Sequence, residues 1–171
     1  MPPHKITQIE VLIQRLKDLH KTLATAESCT GGLLGKSITD ISGSSAVYPG
    51  GVISYCNRIK HTLLGVEQDL LDTLGPVSEP VARQMAEGVC RVFGADYGVG
   101  ITGIAGPNSD ETGRPVGLVY VAVSDGVRTL VREYRFDGDR AAVRAQAAEA
   151  AADLTLELLS ESHDAAAFLS V

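Results

Sequence analysis

Ile6, Ile9, Leu12, Ile13, Leu16 and Leu19 recur at three- and four-residue spacing with Gln, Arg, Lys and Asp between them, which predicts an opening amphipathic helix that ends near His20. A short strand is expected over 22–26. The polar, glycine-rich turn Glu27-Ser28-Cys29-Thr30-Gly31-Gly32 follows, and the composition of 33–39 then suits a short helix. Beyond the loop Ser42-Gly43-Ser44-Ser45, a strand is expected over 50–55, and a short helix over 57–64 closed by Gly65. After the turn Leu74-Gly75-Pro76, Ser78 as N-cap and Pro80 in the first turn announce a helix reaching about Phe93. The run 97–102 reads as a strand, and 103–117 as a loop rich in Gly and Pro. Strands over 118–123 and 128–136 are expected to form a hairpin about Asp125-Gly126. Asp139 then caps a long Ala-rich helix to about Leu159, with a frayed polar tail from Ser160. Helices alternate with strands early and a hairpin comes late. This order predicts an α/β fold: a single three-layer α/β/α domain with a mixed sheet over 1–171, its core at about 6–159, without internal repeats.

Composition narrows the classes of function. At 171 residues and 44% hydrophobic, the chain is long enough for a real core, which excludes a disordered tail or a disulfide-stapled miniprotein. With 15 Lys+Arg against 21 Asp+Glu, a net charge of −6 and no basic run, it is not expected to bind nucleic acid. Cys29, Cys56 and Cys90 are odd in number and form no CxxC pair, so neither a disulfide framework nor a zinc knuckle is expected. The first ten residues hold no apolar signal core, and no run of 18 apolar residues occurs. A soluble cytoplasmic protein without membrane contact is the expectation.

Gly98-Val99-Gly100-Ile101-Thr102-Gly103 matches the dinucleotide fingerprint G-x-G-x-x-G, and Asp125 follows roughly 20 residues on. In that motif, however, the glycines open a helix, and here Gly106, Pro107, Gly113 and Pro115 forbid one. A buried strand that needs small residues for close packing, followed by a functional loop, fits better. The second constellation is Ser28, Thr30, Gly31 and Gly32 at a strand-to-helix turn, with Ser45, Tyr55 and Lys60 farther along. A helix N-terminus opened by glycines favours an anion, either a phosphate or a developing oxyanion, and makes Ser28 a candidate nucleophile. None of the four histidines stands in a triad motif, so Lys or Tyr would have to be the base. The competing readings are structural: Ser28 or Thr30 as helix caps, Lys60 as a solvated helix lysine, Tyr55 as a half-buried strand residue.

At these residues the chain resembles the CinA C-terminal domain family, the nicotinamide mononucleotide deamidases also called PncC. The likeness rests on Ala26-Glu27-Ser28-Cys29-Thr30-Gly31-Gly32, Gly43-Ser44-Ser45, Gly50-Gly51 through Tyr55-Cys56-Asn57 to Lys60, Gly65-Val66, Val77-Ser78, Gly100 through Pro107, and Gly138-Asp139-Arg140. It runs from about Leu16 to Leu159. The resemblance implies hydrolysis of the carboxamide of nicotinamide mononucleotide to nicotinic acid mononucleotide and ammonia, in pyridine-nucleotide salvage, with no cofactor and no metal. It implies Ser28 as nucleophile, with Lys60 and Tyr55 managing protons and orienting the hydroxyl. The Thr30, Gly31 and Gly32 turn would supply oxyanion donors, Ser45 and Thr102 substrate contacts, and Arg140 a fork for the phosphate. A homo-oligomer such as a dimer is also implied. The alternative is a domain that kept the fold and binds or regulates without catalysis. Two departures stand out: Cys56 where the family commonly has Ser, expected to be a packed thiol, and an acidic loop, Asn108-Ser109-Asp110-Glu111-Thr112-Gly113-Arg114.

Overall fold

A computed structural model of the protein describes residues 6–170. Helix α1 (Gln8–Leu19) starts at Thr7, whose hydroxyl accepts the Glu10 N–H while the Glu10 carboxylate takes the Thr7 N–H, a reciprocal cap. It buries Ile9, Leu12, Ile13 and Leu16, the stripe that the periodicity predicts, while Ile6 lies outside the helix and exposed. Strand β1 (Leu23–Glu27) is buried throughout. Helix α2 (Leu33–Thr39), a 3-10 turn at Ser44–Ala46 and strand β2 (Gly50–Ile53) come next, β2 stopping two residues earlier than expected. Helix α3 (Asn57–Leu64) closes on Gly65 at φ 72, the left-handed conformation that glycine adopts without a Cβ penalty. Helix α4 (Gln68–Thr73) was not expected; six mostly polar residues are too few to show a period. Helix α5 (Glu79–Phe93) precedes strands β3 (Tyr97–Gly103), β4 (Leu118–Ser124) and β5 (Thr129–Arg135). Ser78 stands at the N-cap of α5, but its hydroxyl donates to the Gly75 carbonyl and caps nothing.

Helix α6 (Arg140–Phe168) begins at Asp139, whose carboxylate accepts the Ala142 N–H. The expected frayed tail is instead its last turns. The Ala165-Ala166-Ala167 run favours helix, and two contacts hold this end: Arg128 pairs with Glu161, and Ser162 donates to Asp125 at 3.0 Å.

The sheet order is β2-β1-β3-β4-β5, with β1 parallel to both β2 and β3 and the last two strands antiparallel, so the mixed three-layer α/β architecture is as expected. Alternation along the strands sorts the core. Leu23, Val99, Ile101, Val119, Val121 and Val123 pack against α1, α2 and α6, whereas Ala24, Ala26 and Ala122 face the other way, toward α3, α4 and α5. Among the described residues no helix is long and apolar enough to cross a membrane.

The glycine fingerprint lies wholly inside β3, with no helix after it. A Cβ at Gly98 would stand 2.3 Å from the Ala86 carbonyl oxygen, and one at Gly100 2.5 Å from that of Ala82, both on α5. These glycines let helix and strand backbones meet. Gly98→Ala is therefore expected to lose about 2 kcal/mol or more of stability, read as a lower urea midpoint at unchanged slope.

Candidate active site

Parallel strands β2, β1 and β3 end at one edge of the sheet, where chain direction diverges to either side of β1. Such a switch point leaves a crevice beyond the strand carboxyl ends. Here it is a cleft of about 270 Å³ lined by residues that include Ser28, Cys29, Tyr55, Lys60, Thr102 and Arg140. Ser28 follows β1 directly, and its N–H donates to Ile101 on β3 at 3.0 Å. Ser54 follows β2, and its N–H donates to the Glu27 carbonyl at 2.8 Å. Two strand-like bonds thus fix the residues beyond both strands before any side chain acts.

Lys60 projects from the buried face of α3 and is 1% exposed. Its Nζ donates to Ser28 Oγ at 2.9 Å and to the Ser54 carbonyl at 2.6 Å. Among the described residues no carboxylate is bonded to it, and a buried ammonium without an anion is costly. Burial pushes Lys60 down to about 8, against smaller opposing influences from Cys56 and Cys29. The solvated-lysine reading is thereby excluded. Burial also pushes the neighbouring Cys29 thiol up to about 11, which keeps it protonated and a poor nucleophile.

Tyr55 lines the same cleft but is 63% exposed, and its hydroxyl accepts from Arg140 Nη2 at 3.1 Å. Among the described residues no hydrogen bond joins it to Ser28 or Lys60. Arg140 also donates to the Gly106 carbonyl at 2.8 Å, tying α6 to the loop after β3. Thr102 spends its hydroxyl on the Pro76 carbonyl at 2.7 Å.

The other expected substrate contacts lie outside the cleft lining. The α2 N-terminus is not open to an outside anion, because the buried Glu27 carboxylate takes the N–H groups of Leu34 and Gly35 at 2.9 and 3.0 Å. Glu27, and neither Ser28 nor Thr30, is the residue that caps α2. Gly31 N–H bonds back to the Ser28 carbonyl at 3.0 Å. Gly31 is exposed, Gly32 is half-buried beside Ile53, and Thr30 is fully buried with an unpartnered hydroxyl. Ser45 sits at the opposite end of the sheet: the Val47 carbonyl accepts the Leu23 N–H at the start of β1, and a five-residue strand spans about 16 Å.

Cys56 is exposed rather than packed, since it starts α3 on the solvent side. In the acidic loop, Asn108, Ser109 and Asp110 reach the cleft, and Arg114 bonds the Leu74 carbonyl. Burial works to raise the Asp110 carboxyl, but hydrogen bonds from Thr112 and Arg114, with the Arg114 charge, hold it below the usual range. The loop therefore presents a fixed carboxylate.

Sequence reasoning missed Glu27, Ser54 and Arg144. Arg144 donates through Nε to the Cys29 carbonyl at 3.2 Å and through Nη2 to that of Thr30 at 2.8 Å. Its spacing of four from Arg140 on an Ala-rich helix was the available signal, since that spacing puts both on one face. Ser54 acts through its backbone and Glu27 through a cap seven residues ahead; neither leaves a composition signal.

A model of the CinA C-terminal domain matches residues 6–159. The chain belongs to the CinA C-terminal domain family. It is 46% identical over 148 residues to a CinA-like protein of Syntrophomonas wolfei, covering 86% of this chain and 36% of that one. It is 53% identical over 115 residues to a CinA-like protein of Gloeothece citriformis, covering 67% and 28%. The chain thus spans about a third of the length of these curated relatives. Among solved structures, a CinA superfamily protein from Klebsiella pneumoniae superposes with a TM-score of 0.87 at 32% identity, covering 90% of this chain and 96% of that one. A competence/damage inducible protein from Agrobacterium tumefaciens gives 0.83 at 37%, covering 91% and 99%. The CinA C-terminal fold is therefore shared over nearly the whole chain.

Proposed function

We propose that this chain is a serine-dependent amidohydrolase that converts nicotinamide mononucleotide to nicotinic acid mononucleotide and ammonia, a step of pyridine-nucleotide salvage. The observation that carries this reading is the 2.9 Å contact between Ser28 Oγ and the buried Lys60. The resemblance of the surrounding motifs to nicotinamide mononucleotide deamidases supplies the substrate.

In its neutral form Lys60 keeps one N–H on the Ser54 carbonyl and turns its lone pair toward Ser28, whose O–H then donates to it. As Ser28 Oγ bonds to the carboxamide carbon, its proton passes to Lys60 and the C=O electron pair moves onto oxygen. Collapse of the tetrahedral adduct breaks the C–N bond, and Lys60 returns the proton to the leaving nitrogen, which departs as ammonia. Water then attacks the ester carbon and gives a proton to Lys60; the bond from that carbon to Ser28 Oγ breaks, Lys60 returns the proton to Oγ, and nicotinic acid mononucleotide leaves. Arg140 provides the cation for the phosphate from a position where it also holds Tyr55 and the Gly106 carbonyl. Tyr55, at the exposed edge, is placed to orient substrate rather than to share the Ser28 proton.

Ammonia release from nicotinamide mononucleotide by the purified protein, with chromatography of the pyridine product, tests the proposal. Stoichiometric ammonia and nicotinic acid mononucleotide are expected. Binding without turnover would assign the chain to the non-catalytic alternative. Among the described residues no three His, Cys, Asp or Glu side chains gather as a metal site, so chelator is expected to leave the rate unchanged, and added NAD likewise. Loss in chelator with recovery on a divalent metal would overturn the Ser28/Lys60 mechanism.

A further inference from the structure

Hydrolysis at Ser28 requires the nucleophile turn to hold its hydroxyl in register with Lys60 and the substrate. Arg144 reaches the back of that turn from α6, bonding the carbonyls of Cys29 and Thr30, and does not line the cleft itself. Gly31 leaves room for it, since a Cβ there would lie 3.3 Å from Arg144 Nη2. Two charge-assisted bonds from one guanidinium thus hold successive carbonyls of the turn that follows Ser28.

We propose that Arg144 is the positioning residue of the nucleophile: its guanidinium fixes the Cys29 and Thr30 carbonyls, and with them the turn that presents Ser28 Oγ to Lys60 and to the carboxamide carbon. The inference rests on the amidohydrolase reading above. It assigns Arg144 a role separate from Arg140, one helical turn away, whose side chain faces the cleft.

Arg144→Met and Arg144→Lys, compared with the unaltered protein, test it. Deamidation of nicotinamide mononucleotide is followed across pH, and thermal melts measure the folded fraction. Intact mass follows reaction with a small alkyl fluorophosphonate, in which Ser28 Oγ bonds to phosphorus, fluoride leaves and the proton passes to Lys60. Arg144→Met is expected to lower kcat about 10- to 100-fold, with KM within about threefold and the pH midpoint unmoved. Labelling should slow in parallel. Arg144→Lys, which keeps the charge but not the fork, should recover part of the rate. Where Arg144→Met fails to fold, Arg144→Lys decides, and a rate equal to wild type overturns the proposal. So does a deficit that disappears per folded molecule, or one confined to KM. Labelling also separates this inference from the substrate assignment: if the unaltered protein is labelled at Ser28 but leaves nicotinamide mononucleotide intact, the substrate is wrong, and the Arg144 effect on labelling still decides. Neither labelling nor turnover in the unaltered protein overturns both.

Discussion

Ser28→Ala is expected to reduce deamidation by on the order of a thousandfold or more while the protein remains folded, with substrate binding by calorimetry within a fewfold of wild type. The hydroxyl is the atom that forms the ester, so its loss removes the reaction path rather than a contact. The fold tolerates the change: Ser28 is anchored through its backbone to Ile101, and Lys60 keeps its bond to the Ser54 carbonyl. A helix-capping serine would behave oppositely, losing roughly 1 kcal/mol of stability with chemistry preserved. Glu27 already fills that role. Near-normal turnover in Ser28→Ala would exclude covalent catalysis from this position.

Lys60 sets the pH dependence. An ordinary lysine, with a pKa near 10.4, is neutral in about one molecule in 2,500 at pH 7, whereas a value of about 8 leaves roughly one in ten as free base. The rate under kcat/KM conditions should therefore rise nearly tenfold per pH unit below 8 and level off above it. Lys60→Met and Lys60→Arg are both expected to abolish turnover, since methionine has no basic site and arginine does not surrender its proton. An active Lys60→Arg enzyme would reassign Lys60 to charge alone and make Tyr55 the leading base.

Stability should move with the same group. Because burial lowers the folded-state value from 10.5 to about 8, the unfolded chain binds more protons between these limits, and Lys60 makes stability rise with pH across that window. Below about 8 the folded protein bears the full cost of the buried ammonium. Lys60→Met, which removes that charge at similar length, is expected to melt no lower than wild type at pH 7. A large drop in its melting temperature would show that the ammonium is held by interactions the geometry does not contain.

Local rules determined most of the elements. The stripe from Ile9 to Leu16 fixes α1 because a 3.6-residue period admits one buried face, and Gly65 and Asp139 mark helix ends because left-handed closure and N-capping suit their chemistry. The same reading rejected the glycine fingerprint, since Gly106, Pro107, Gly113 and Pro115 cannot continue a helix, and singled out Ser28, Tyr55 and Lys60; the family resemblance added Thr102 and Arg140, and all five line one cleft. Tertiary structure decided what pairs with what. Ser28 and Lys60 are 32 residues apart, and neither shows in sequence that β1 and α3 bring them within 2.9 Å or that burial unsettles the lysine charge. Glycines and hydroxyls at 28–32 suggested an open anion site, but a side chain from the strand before them had filled it. Capping by Glu27 and clamping by Arg144 both depend on distances between elements, which periodicity and spacing do not encode, because each reports the geometry within an element and not the packing between two.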